Sequence, residues 1–265
     1  MINRFSIWFL CVGTLVISTA QDIGRFAFEY PFVKIFYDVN EEKEVTLTFD
    51  VPRRILDAHK VGKLVSGHHE LGPYPLRKKE GSTYTIDFDN SGITSGDWDQ
   101  SVEDFGRNTG ILSFDSPYYP GDLTTLTYVS GDSFSVNFHR EELLFLRLGR
   151  RLTPGEYIYK EPVFPHMRIS YKIYENGLGG VQVKCKRRST ARFPHMLSPR
   201  DRGLPYLSYA VEPAGQGTLD QFLYQVRYVC RHKYVFPNDF SRVVFATERT
   251  IYVEFERGRL ALTKV

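Results

Sequence analysis

The sequence predicts an all-β, or β-dominated α+β, protein: an antiparallel β-sandwich built from hairpins, or two such sandwiches packed together. Three observations carry this expectation. The chain holds 20 Phe and 17 Tyr against 3 Met and 2 Trp, and aromatic and β-branched residues favour pleated, half-buried surfaces. Apolar and polar residues alternate with period two in short runs. Those runs come in pairs separated by turn residues.

The first element is a leader. "MINR" gives a positive start, Phe5 to Ile17 is an apolar run, and Ser18 and Ala20 occupy the small-residue positions of a cleavage site, so residues 1–20 read as a signal peptide. The run is shorter than the roughly 20 residues a membrane-spanning helix needs. The expectation is a secreted, soluble, extracellular chain without a transmembrane anchor. Cys11 leaves with the leader, and in an oxidising space the remaining Cys185 and Cys230 should form a disulfide.

Four hairpins follow. In 32–39 and 43–51, Val45, Leu47 and Phe49 share one face and Thr46, Thr48 and Asp50 the other. "LTTLTYV" and "SFSVNFH" meet across "SGD", "MRISYKIYE" and "VQVKCKR" across "NGLGG", and "RTIYVEFE" and "LALTKV" across "RGR". Two segments are less regular. Residues 52–65 begin with Pro52 like a helical first turn, weakened by Gly62. Residues 218–230 fit both periods: Thr218 and Gln221 make a helix capping box, but the Phe, Tyr and Val content favours a strand. Residues 89–110 and 188–217 lack apolar periodicity and read as long loops. "FPHM" occurs at 164–167 and 193–196, yet its flanks differ, so no internal repeat is supported. The expected organisation is one domain over 21–265, with two β-subdomains divided near 105–131 as the alternative.

Candidate sites come from charge. "DFDNSGITSGDWD" (87–99) begins like a calcium loop, with Asp87, Asp89 and Gly92 in place, but Trp98 stands where the bidentate Glu belongs. No cofactor is expected beyond a weak calcium site formed by Asp87, Asp89, Asp97 and Asp99 folding together. A basic segment holds Lys184, Lys186, Arg187, Arg188, Arg192, Arg200 and Arg202 against Asp201 alone, a pattern that suits a polyanion. The formal net charge of only +3 gives no argument for nucleic acid as the partner. Nucleophile, zinc and phosphate-loop motifs are absent. The leading expectation is therefore a non-enzymatic binding protein, contacting an extracellular protein or a polyanionic glycan through loops 89–110 and 188–217. The alternative is a secreted hydrolase of glycans or RNA, using carboxylates of 87–104 with His166 or His195 from an FPHM tetrad.

Overall fold

The structure, a computed structural model, describes residues 22–52, 65–112, 119–201 and 207–265. The leader, nearly all of the 52–65 segment and Arg202 lie outside the described residues.

The chain is β-dominated and antiparallel, and its sheets close into barrels rather than stacking face to face. The first barrel runs through β1 (Gly24–Glu29), β2 (Lys34–Val39), β3 (Glu44–Val51), β4 (Gly67–Lys78), β5 (Thr83–Ile86), β6 (Thr125–Ser130), β7 (Ser133–Phe138) and β8 (Glu141–Leu148). It closes where β1 pairs with β8, Phe26 opposite Arg147. The second contains β9 (Gly155–Lys160), β10 (Arg168–Ile173), β11 (Leu178–Cys185), the two-residue β12 (Arg188–Ser189), β13 (Phe193–Asp201), β14 (Leu207–Pro213), β15 (Arg242–Phe245), β16 (Thr250–Phe255) and β17 (Gly258–Lys264). It closes because β9 pairs with both β10 and β17 while β10 also pairs with β11. Closure explains the departure from the sandwich: the same alternating strands leave no open edges when end strands meet. All four predicted hairpins are present, as β2–β3, β6–β7, β10–β11 and β16–β17.

Alternation decides which side chains fill each barrel. Phe26, Tyr37, Leu47, Phe134 and Phe145 point into the first, and Tyr157, Tyr171, Val181, Phe193 and Phe245 into the second. Burying each large apolar side chain contributes about 2–3 kcal/mol. At eight strands a barrel interior is just wide enough for such filling.

Both expected loops carry regular elements where they are described. Within 89–110 the chain forms α1 (Phe88–Ser91) and α2 (Ser95–Thr109), where Thr94 and Asp97 make a reciprocal capping box. Trp98 and Val102 of α2 pack into the core of the first barrel. Residues 218–230, expected as a strand, form α3 (Leu219–Val229), capped by Thr218 and Gln221 and burying Phe222, Leu223 and Val226. The capping signal and a helical apolar stripe outweigh the strand preference of individual residues, because that stripe covers the end of the second barrel. Residues 188–217 contain β12, β13 and β14; Phe193, His195 and Leu197 alternate inward along β13. The prolines Pro194 and Pro199 masked that period in the sequence.

The two barrels share one plan: five barrel strands, a capped helix, three strands, with α1 added in the first and the two-residue β12, paired with β11 alone, added in the second. The likeness is one of topology, where the sequence supported no internal repeat. The FPHM tetrads are not the repeat, since one precedes β10 and the other opens β13. The correspondence is carried by Gly24-x-Phe26-x-Phe28 and Gly155-x-Tyr157-x-Tyr159, by Thr94-x-x-Asp97-Trp98 and Thr218-x-x-Gln221-Phe222, and by the turns His139–Arg140 and Glu256–Arg257. Gly24 and Gly155 both have positive φ, +134° and +156°, and a Cβ at either would strike a cation from the last strand, Arg147 or Lys264. The sheets divide between Leu148 and Gly155, so the stretch 105–131 lies within the span of the first barrel.

One end of the first barrel abuts the outer wall of the second. Arg147, fully buried, lies over the rings of Phe26 and Tyr252, 4.5 and 4.9 Å from their centroids. Its guanidinium donates to the carbonyls of Ile23 and Gly131 and to Asp132, which also pairs with Arg259. The Ile23 N–H donates to the Tyr252 hydroxyl at 2.8 Å, and Glu41 accepts from Thr247 and Thr250.

Candidate functional site

The basic segment is divided by the fold. Arg192 turns along the wall to donate to the Gly180 carbonyl and Ser170, and Arg200 is an ion-pair partner of Glu212. Lys184, Lys186, Arg187 and Arg188 remain together and exposed at the β11–β12 turn. This turn sits at the end of the second barrel covered by α3. The Cys185–Cys230 disulfide forms as predicted and fixes the turn to the C-terminal end of that helix.

The helix brings groups that the sequence reading did not join to the basic run. Tyr224, Tyr228 and Arg227 lie on its exposed face, and Arg231 and His232 follow its cap. Tyr228 lies beneath two guanidiniums, Arg188 at 5.5 Å and Arg231 at 5.4 Å from its ring centroid. Lys186 Nζ is 4.3 Å above the Phe164 ring, and the His232 ring lies tilted beside the same ring at 5.2 Å. Between β12 and α3 lies an open groove of about 470 Å³, lined by Arg188, Ser189, Thr190, Tyr224, Gln225, Tyr228 and Val229. The result is a continuous face on which cations alternate with exposed aromatic rings. Such a face holds anions by charge and flat or apolar groups by stacking. The helical period of 218–230, seen in the sequence but set aside for a strand, places Tyr224 and Tyr228 on the stripe opposite the core.

Acidic candidates are arranged differently. Asp87 precedes α1 and accepts from Asn90 at 2.7 Å, while Arg77 lies between Asp87 and Asp89, at 3.6 and 3.1 Å. Asp97 closes the α2 capping box, and the Thr94 N–H and hydroxyl hold its carboxyl below the usual range. Of the four predicted ligands only Asp97 caps a helix, Asp87 making no side-chain cap bond and Asp99 lying within α2, and among the described residues no group of three or more His, Cys, Asp or Glu is placed to hold a metal. A burial-raised carboxyl that the sequence did not single out, Asp122, accepts from the His139 backbone N–H at 2.9 Å.

The FPHM histidines do not join the acids. His166 is exposed beside β10, whereas His195 is fully buried in the second barrel, edge-on to Tyr171 at 4.9 Å. Burial lowers the His195 pKa to about 4 and pushes the Tyr171 hydroxyl upward. Of the other histidines, His69 stacks on Phe105 and hydrogen-bonds Ser101 at 2.9 Å. Glu254 pairs with Arg242, and Glu256 with Lys233.

Fold and face together define a tandem pair of capped antiparallel barrels bearing a basic, aromatic end. Comparison with protein-family models, curated proteins and solved structures finds no match to this chain. No helix among the described residues is long and apolar enough to cross a membrane.

Proposed function

We propose that this chain is a secreted, non-enzymatic binding protein whose contact surface is the basic, aromatic end of the second barrel and whose ligand is a polyanion. One observation carries the reading: Lys184, Lys186, Arg187, Arg188 and Arg231 stand exposed around Tyr224 and Tyr228, beside an open groove, on a turn and helix joined by a disulfide. A charged surface held rigid in this way loses little conformational freedom when it binds. Secretion is supported by the leader and by a disulfide that an oxidising compartment maintains. Binding through 89–110, expected from the sequence, has less to support it, since α2 is engaged in closing the first barrel.

Retention on heparin tests the proposal. The protein should bind at low salt and elute as salt rises, because each anion contact releases counterions. Arg187→Glu with Arg188→Glu should abolish retention, whereas Arg200→Glu, remote from the face, should leave it nearly unchanged. Salt-insensitive passage of the unaltered protein refutes the reading.

A further inference from the structure

The rim beside this face carries apolar side chains that a soluble polyanion does not need. Between β9 and β10 the chain makes a tight turn, closed by the His166 N–H donating to the Val163 carbonyl at 2.8 Å. Pro165 and Met167 are buried beneath it, while Val163 and Phe164 project into solvent, 64% and 54% exposed. The tip is thus anchored from below and apolar above. It is continuous with the basic face, since Phe164 lies under Lys186 and beside His232. Tyr224, Tyr228 and Tyr234 extend the exposed aromatic surface, at 69%, 56% and 79%. Nearby Glu161 and Glu256 both bind Lys233, leaving Lys186, Arg187, Arg188 and Arg231 to set the sign of the rim.

Resting on the polyanion reading, we infer that this end of the second barrel docks on an anionic lipid bilayer, with Val163 and Phe164 entering the headgroup–acyl boundary. Three features favour a bilayer over a soluble glycan. An apolar tip gains from leaving water only where hydrocarbon is at hand. Tyrosines suit the interface, where one end of the ring is apolar and the other wet. Lysines and arginines around them meet the negative surface potential of acidic headgroups. The tip and cations share one end of the barrel, so a single approach engages both.

Sedimentation with phosphatidylserine–phosphatidylcholine vesicles, run beside heparin retention, tests this. The full chain should bind the mixed vesicles and not phosphatidylcholine alone. Val163→Ser with Phe164→Ser, which removes apolar surface without changing the charge beside Lys186, should weaken vesicle binding by about tenfold or more, the contribution of burying two apolar side chains, and leave heparin retention unchanged. Lys186→Glu with Arg188→Glu should reduce both. Phe164→Trp, which keeps an aromatic ring in place, should shift its emission to the blue on vesicle addition, and near-ultraviolet circular dichroism should match that of the parent. Heparin retention without vesicle binding, or vesicle binding indifferent to the serines with no emission shift, overturns the lipid inference and leaves the polyanion reading standing. Failure to bind either probe overturns both.

Discussion

His195 and Asp22 respond to acid in opposite senses, and each does so because of where the fold buries it. Unfolded, a histidine takes up a proton below about pH 6.5; inside the second barrel His195 resists it until about 4. Its contribution to stability is complete above 6.5 and is lost as the pH falls toward 4, by an amount on the order of 3 kcal/mol. Asp22 is a half-buried carboxyl that desolvation raises to about 6, against the opposing pull of Arg147 and Arg259. Folded, it keeps its proton between its ordinary pKa near 4 and 6, so its contribution is complete below 4 and lost as the pH rises to 6. The two effects overlap and offset one another. The unaltered protein should therefore show a shallow melting profile from pH 4 to 6.5, steepened in opposite directions by His195→Leu, which leaves melting to fall with rising pH, and by Asp22→Asn, which leaves it to fall with increasing acid. Scanning calorimetry across that range checks both signs. His195 stood out only as a member of an FPHM tetrad, its burial concealed because two prolines hid the strand period, and Asp22 follows the leader with nothing to mark it.

The disulfide and α3 act as one element. Cys185 and Cys230 are separated by 45 positions, and a closed loop of that size restricts the unfolded chain by about 4 kcal/mol in the entropic account. Cys185→Ser with Cys230→Ser should destabilise the chain by that order, read as a lower melting temperature. It should also weaken retention on heparin, because the basic turn is no longer held to the helix. Thr218→Ala removes the hydroxyl that accepts from the Gln221 N–H and should cost about 1 kcal/mol in chemical denaturation. The cystine was readable because compartment and cysteine count left one pairing. The hairpins were readable because period two and turn residues agree. The helix was misread although its capping box was visible, since Phe, Tyr and Val signal a strand only until the end of a barrel needs covering. Closure itself was hidden: pairing β1 with β8, and β9 with β17, joins segments far apart in the chain through backbone bonds that residue type does not encode.

At the scale of the molecule, the seam rests on Arg147. Its guanidinium is held by carbonyls of the first barrel and covered by a ring of the second. Arg147→Met should destabilise the chain by about 1–3 kcal/mol for each of the two carbonyls, of Ile23 and Gly131, that loses its buried donor, while Asp132 keeps Arg259, and this should appear as a lower midpoint in denaturant. The shared plan escaped sequence reading because the halves match in position rather than in words: Phe26 answers to Tyr157, Trp98 to Phe222, Arg147 to Lys264. The connection between the halves carries exposed Arg150 and Arg151, natural targets for trypsin. Yet Asp132 with Arg259, Glu41 with Thr247 and Ile23 with Tyr252 all bridge the junction independently of that link. A nicked sample should accordingly travel as one particle through gel filtration and come apart into two polypeptides only in denaturant.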